Sequence, residues 1–239
     1  MYQRLDPEHI VGTSRTLASR VAERFPGSGL SRVALELVQV TERAARDAAW
    51  MAIPRLRLRL GVGILVAMLL ALLAGGVAVL MSQRFETGAA DLIQASEAVI
   101  QDVVFVGIAV FFLVSLEARS KRRRALAALH SHRAMAHIVD MHQLTKDPER
   151  VALPASGPDT PSSPRRRMSV FELSRYLDYC SEMLSLLSKA SALYIQDFSD
   201  PVTISTVNDI EDLTNGLSRK IWQKIMILER MADEPGHPA

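Results

Sequence analysis

Residues 60–81 read LGVGILVAMLLALLAGGVAVLM, and this stretch decides the fold: 22 consecutive positions without a charged residue. A bilayer core about 30 Å thick is crossed by roughly 20 apolar helical residues. A second stretch, residues 98–116, reads AVIQDVVFVGIAVFFLVSL over 19 positions with Asp102 as its only charge. Both are expected to be membrane spans. The first begins too deep in the chain, and runs too long, for a cleaved signal peptide. Of the 239 residues, 59 precede the spans, 16 separate them and 123 follow. That division excludes one large soluble enzyme core. The bulk composition, 49% hydrophobic, hides the division because the apolar residues are concentrated rather than numerous.

Orientation follows from the basic residues. Arg55, Arg57 and Arg59 precede the first span, while Arg119, Lys121, Arg122, Arg123 and Arg124 follow the second. Residues 82–97, between the spans, hold only Arg84 against Glu86, Asp91 and Glu97. Both termini are therefore expected in the cytoplasm, joined through a short outer loop at 82–97. Arg55, Arg57, Arg59, Arg122, Arg123 and Arg124 are expected to face anionic lipid headgroups. A formal charge of +2 points away from nucleic acid. The lone Cys180 allows no intrachain disulfide.

The remaining chain reads as helix. Residues 1–59 form two N-terminal helices, the first starting at Asp6-Pro7-Glu8 with a cap, a proline in the first turn and an early acid. Trp50, beside the basic run, fits an interfacial anchor. After the second span, residues 117–150 continue as helix to about Leu144. Residues 151–167, with four prolines among Ser, Gly, Asp and Arg, read as a flexible linker. Residues 168–239 form a helical hairpin, opened by a capping box at Ser169-Val170-Phe171-Glu172. Its apolar faces need a third surface, from 117–144, from the N-terminal helices or from another copy. The expected class is thus all-α: a two-helix transmembrane hairpin with N-terminal helices and a cytoplasmic C-terminal helical bundle.

Few residues point to chemistry. Gly63, Ala67, Ala71 and Gly75 recur every four positions in the first span. Small residues let helix backbones approach in lipid, where the hydrophobic effect no longer drives association; Gly and Ala are also simply common in spans. Asp102 is the one intramembrane acid, a functional candidate by default, although one turn from the outer edge it can reach the headgroups. His130, His132, His137 and His142 crowd thirteen positions. Their spacing is wrong for one ion on one helix, so a metal site would need ligands from elsewhere. Helical phase sets His130, Arg133, His137 and Asp140 on one side between leucines, as a polar network or a pH-sensitive site. The competing readings are a solvated face and a rival apolar stripe through Ala127, Ala134, Ile138 and Met141. Arg166-Arg167-Met168-Ser169 fits a basophilic kinase site, but the capping role explains the same serine. No phosphate loop, nucleophile elbow or cysteine pair is present, and no cofactor is implied.

The run from Ala134 to Pro148, AMAHIVDMHQLTKDP, resembles a segment shared by uncharacterised bacterial two-span inner-membrane proteins, as does Ser218 to Lys224, SRKIWQK. That resemblance implies a bacterial inner membrane and no particular activity. The layout is also similar to two-span effectors of bacterial conflict systems. The function expected is a non-enzymatic interaction or signalling module that self-associates and presents its helical cytoplasmic part to a protein partner. The alternatives are a triggered pore-forming effector and, behind it, an enzyme or metal-binding protein using His130–His142.

Overall fold

The computed structural model describes residues 4–82, 89–148, 162 and 168–233. Six helices are present among them: α1 Pro7–Arg24, α2 Gly29–Ala52, α3 Leu56–Ser82, α4 Ala89–Leu144, α5 Val170–Ala192 and α6 Pro201–Asp233. No described residue lies in a strand. The chain divides into two compact units, one made of residues 53–123 and the other of the remainder.

Local chemistry sets the helix starts. The Asp6 carboxylate accepts from the Glu8 and His9 backbone N–H groups, satisfying two donors that the first turn leaves free. Ser169 and Glu172 form the reciprocal capping box at the start of α5. Asp200 does the same service for α6, accepting from the backbone N–H and hydroxyl of Thr203 at 3.0 and 2.9 Å. Gly27, with φ of 65°, turns the chain between α1 and α2 in a conformation other residues resist.

The larger unit is a bundle of α1, α2, the last part of α4, α5 and α6, with α5 at its centre. Leu173, Leu177, Cys180, Met183, Leu184 and Leu187 of α5 are almost wholly buried, and so are Tyr176 and Tyr179 on another side. A helix apolar on most sides belongs in an interior, and each fully buried leucine contributes about 1.5–3 kcal/mol. The hairpin of α5 and α6 is thus covered within the same chain: α1 and α2 both pack on α5. Phe25, at the end of α1, meets Tyr176 and Tyr179 edge-on at 5.5 and 6.3 Å. Between α1 and α2, the buried hydroxyls of Ser14 and Thr41 lie 2.8 Å apart.

The smaller unit is α3 with the first part of α4. Both helices are long and apolar enough to cross a membrane. Their large side chains lie open: Ile64 is 71% exposed, Leu72 67%, Phe105 62% and Phe111 65%. The partly covered positions of α3 are Leu58, Val62, Val66, Leu69, Leu73 and Val77, and those of α4 include Val106, Ala109, Val110 and Leu113. Gly63, Ala67, Ala71 and Gly75 lie between those positions and are exposed.

The expected loop at 82–97 is shorter than its charge pattern suggests. α3 runs through Ser82 and α4 starts at Ala89, because residues 89–97 contain no glycine or proline to end a helix. The rest of that loop, at 83–88, lies outside the described residues, as does the expected linker at 151–167 apart from residue 162.

Candidate functional site

Two polar clusters inside the bundle, and one in the smaller unit, hold the ionisable groups whose surroundings are unusual. The first joins α2, α4 and the end of α5. Asp47 is 3% exposed, and its Oδ1 accepts from Arg124 Nε at 2.8 Å and a terminal guanidinium nitrogen at 2.7 Å. Its Oδ2 accepts from the Tyr194 hydroxyl at 3.1 Å. Arg124 also lies over the Trp50 ring, 4.4 Å from its centroid. Burial, then the adjacent Asp47 carboxylate, pushes the Tyr194 phenol far above its ordinary range, so it acts only as a neutral donor.

The Tyr194 ring stands edge-on to His132 at 5.6 Å. His132 Nδ1 lies 2.8 Å from Ser191 Oγ, whose single hydrogen goes to the Leu187 carbonyl at 2.9 Å. Burial, reinforced by the charge of Arg43 and opposed by Asp47, holds His132 down at about 4. It is neutral across the physiological range.

The second cluster closes the end of α4. Lys224 of α6 donates to the Gln143 carbonyl at 2.9 Å and to its side-chain oxygen at 2.8 Å. A cation here meets carbonyls that the last helical turn leaves free. Gln143 in turn donates to Asp140 at 2.5 Å, and Tyr176 donates to the His142 carbonyl at 3.2 Å. Burial lowers both Lys224 and His142 from their ordinary values. Gly29 opens α2 against this corner; a Cβ there would stand 2.6 Å from His142 Cε1. The two resemblance segments, 134–148 and 218–224, meet at this Gln143–Lys224 contact.

In the smaller unit, Glu117 accepts from Arg59 at 2.7 Å, Lys121 at 3.0 Å and the Arg55 backbone N–H at 3.4 Å. These donors, Arg59 first, hold its carboxyl well below the usual carboxylate range. Lys121 also donates to the Ile53 carbonyl at 3.3 Å, and Arg55 to Ser120 at 3.2 Å. A charge-assisted clasp therefore ties the break at Ile53-Pro54-Arg55 to α4.

Several expected residues sit elsewhere. His130, Arg133 and His137 are exposed and form no network with Asp140. Arg133 instead pairs with Asp209 of α6 at 3.3 Å. The inward stripe of α4 is Ala125, Ala128, Leu129, His132, Met135, Ala136, Val139 and Gln143, about one residue out of phase with the expected one. The rival stripe, Ala127, Ala134, Ile138 and Met141, is exposed too. The true stripe carries three alanines and two polar residues, so hydrophobicity ranks it below the rival stripe. Its three- and four-residue spacing was the signal to follow. Among the described residues no three His, Cys, Asp or Glu side chains gather as a metal site.

Of the residues expected at lipid headgroups, Arg124 is committed to Asp47 and Trp50, and Arg55 and Arg59 to the Glu117 cluster; Arg57 and Arg123 are exposed. Trp50 supports Arg124 rather than standing alone as an anchor. Asp102 is exposed on α4.

Cys180 lies fully inside the bundle, and burial pushes its thiol up to about 12. The reactive species is the thiolate. A maleimide dye is thus expected to leave Cys180 unlabelled in the folded chain and to label it fully on unfolding. Rapid labelling of the native protein at neutral pH would contradict this packing.

No protein-family model, no curated protein and no solved structure matches this chain.

Proposed function

We propose that the chain is a two-pass protein of a bacterial inner membrane, with both termini and the helical bundle in the cytoplasm. On this reading it is a non-enzymatic interaction or signalling module that associates with itself and presents the bundle to a protein partner. The observation that carries the membrane placement is the open apolar surface of α3 and α4. Twelve Leu, Ile and Val residues in 60–81, each favouring the bilayer centre by roughly 0.3–0.6 kcal/mol, sum to about 5 kcal/mol. The thirteen Leu, Ile, Val and Phe residues of 98–116 give a similar sum, which Asp102 near that span's end does not outweigh. The cytoplasmic assignment of both termini rests on the arginines and lysines flanking the spans.

Support for self-association comes from the small residues of α3. Among the described residues nothing lies within 4 Å of where a Cβ would stand at Gly63 or Gly75, and with Ala67 and Ala71 they are exposed. A second helix can approach there. Support for an interaction role comes from the interior polar groups, which are engaged with one another at Asp47, His132 and Gln143 and so act as determinants of packing.

Reporter fusions at Met1 and Ala239 test the placement. Both should read cytoplasmic, and the chain should stay with membranes through alkaline carbonate washing. Fusions on opposite faces, or extraction by carbonate, would refute it. Gly75→Leu should weaken cross-linking between copies within the membrane if α3 mediates contact.

A further inference from the structure

Charge is divided along one exposed stripe of α6. Asp209 and Asp212 stand before Gly216 on this exposed stripe, whereas Arg219, Lys220 and Arg230 follow it. Gly216 lies within one residue of the midpoint of Pro201–Asp233. A glycine in a helix interior weakens the helix relative to alanine. Among the described residues no neighbour accounts for this one, since nothing lies within 4 Å of where its Cβ would stand. It sits instead in a shallow open groove bordered by Asp212, Arg219, Lys220 and Gln223. Val202 and Ile227, on the same stripe, are 47% and 40% exposed.

We propose that two copies of the chain pair through α6, antiparallel, with the helices crossing at Gly216. A two-fold axis there sets Asp212 of each copy beside Arg219 of the other, and Asp209 near the other's Lys220. Every ion pair is then made twice, as an isologous interface requires. Parallel pairing would oppose Asp212 to Asp212 and Arg219 to Arg219. The absent side chain at 216 lets the backbones close at the crossing, and the apolar Val202 and Ile227 gain cover toward the ends. Asp209 already meets Arg133 of its own chain at 3.3 Å, which leaves Asp212 as the principal acid. This pairing rests on the self-association part of the proposed function. Membrane anchoring would raise the effective concentration of the two helices but is not needed for the contact.

The full chain in detergent provides the test. Gly216→Cys should form a disulfide-linked dimer on mild oxidation. Glu229→Cys, exposed on the other side of α6, should not, and the buried Cys180 does not interfere. In sedimentation, Asp212→Arg and Arg219→Asp should each weaken dimerisation by roughly tenfold or more, because two symmetry-related attractions become repulsions. The double exchange should restore it. Recovery in the double variant supports the antiparallel pairing, since a parallel pair would gain nothing from the swap. A dimer that persists without cross-linking at 216 and ignores both charge reversals overturns this interface while leaving self-association standing. A chain that is monomeric throughout overturns both.

Discussion

Replacing Asp47 with alanine is expected to lower the unfolding free energy by about 3 kcal/mol, enough to lower the folded-to-unfolded ratio by about a hundredfold. Three contacts converge on this one carboxylate. The Tyr194 hydroxyl would lose its acceptor inside the bundle, a loss of about 1–3 kcal/mol. The Arg124 guanidinium would lose its partner, but its side chain is 48% exposed and can be rehydrated. That exposure places the effect at the lower end of the range for breaking a buried pair. Asp47→Asn, which keeps an acceptor oxygen toward Tyr194, should cost less than half as much. Tyr194→Phe combined with Asp47→Ala should be clearly less than additive, because both remove one hydrogen bond. Cys180 labelling during a thermal ramp reads all of these in detergent. An alanine variant as stable as the native chain would show that the Asp47 cluster does not hold α2, α4 and the end of α5 together.

The second large effect is acid sensitivity centred on His132. The free imidazole titrates near 6.5, and the buried ring is held at about 4. Between those values the unfolded chain binds the proton and the folded chain does not, so stability rises with pH through this window. The contribution is complete above about 6.5 and is lost progressively as the pH falls toward 4. The 2.5-unit difference corresponds to about 3 kcal/mol at the acid end. His132→Gln should remove that part of the pH dependence while carboxylate contributions remain in both proteins. The informative quantity is therefore the difference between the two curves from pH 7 to 4. Parallel curves would mean that His132 is not the buried neutral base its packing against Ser191 and Tyr194 requires.

How much of this was legible beforehand depended on the range of the interaction. Asp6-Pro7, Ser169-to-Glu172 and Asp200-Pro201 mark helix starts because caps are made by side chains two or three residues from the donors they satisfy. The apolar character of 60–81 and 98–116 was legible for the same reason: it is a sum over neighbours in sequence. The inward face of α4 was not. One stripe there, through Ala127, Ala134, Ile138 and Met141, looks more apolar than the buried one, and the choice falls to Ala125, Ala128, Ala136, His132 and Gln143 because partners lie 59 and 81 residues away, in Ser191 and Lys224. Small residues at 125, 128 and 136 mark a close packing edge, and the polar ones are tolerated only where those distant partners exist. Arg124 was misread for a related reason. As one of five bases after a span it looks like a topology signal, and only the fold shows it bonded to Asp47.

What the chain's order of residues determined alone is thus the character of its helices, where the capped ones at Asp6, Ser169 and Asp200 start, and which two can cross a bilayer. Those properties depend on backbone donors and apolar surface counted along a few turns. Which side of each helix faces inward, which charges are paired and which histidine is withdrawn from water were decided only by tertiary packing. A buried polar group is stable or costly according to a partner from a remote segment, and periodicity within one helix carries no information about that partner.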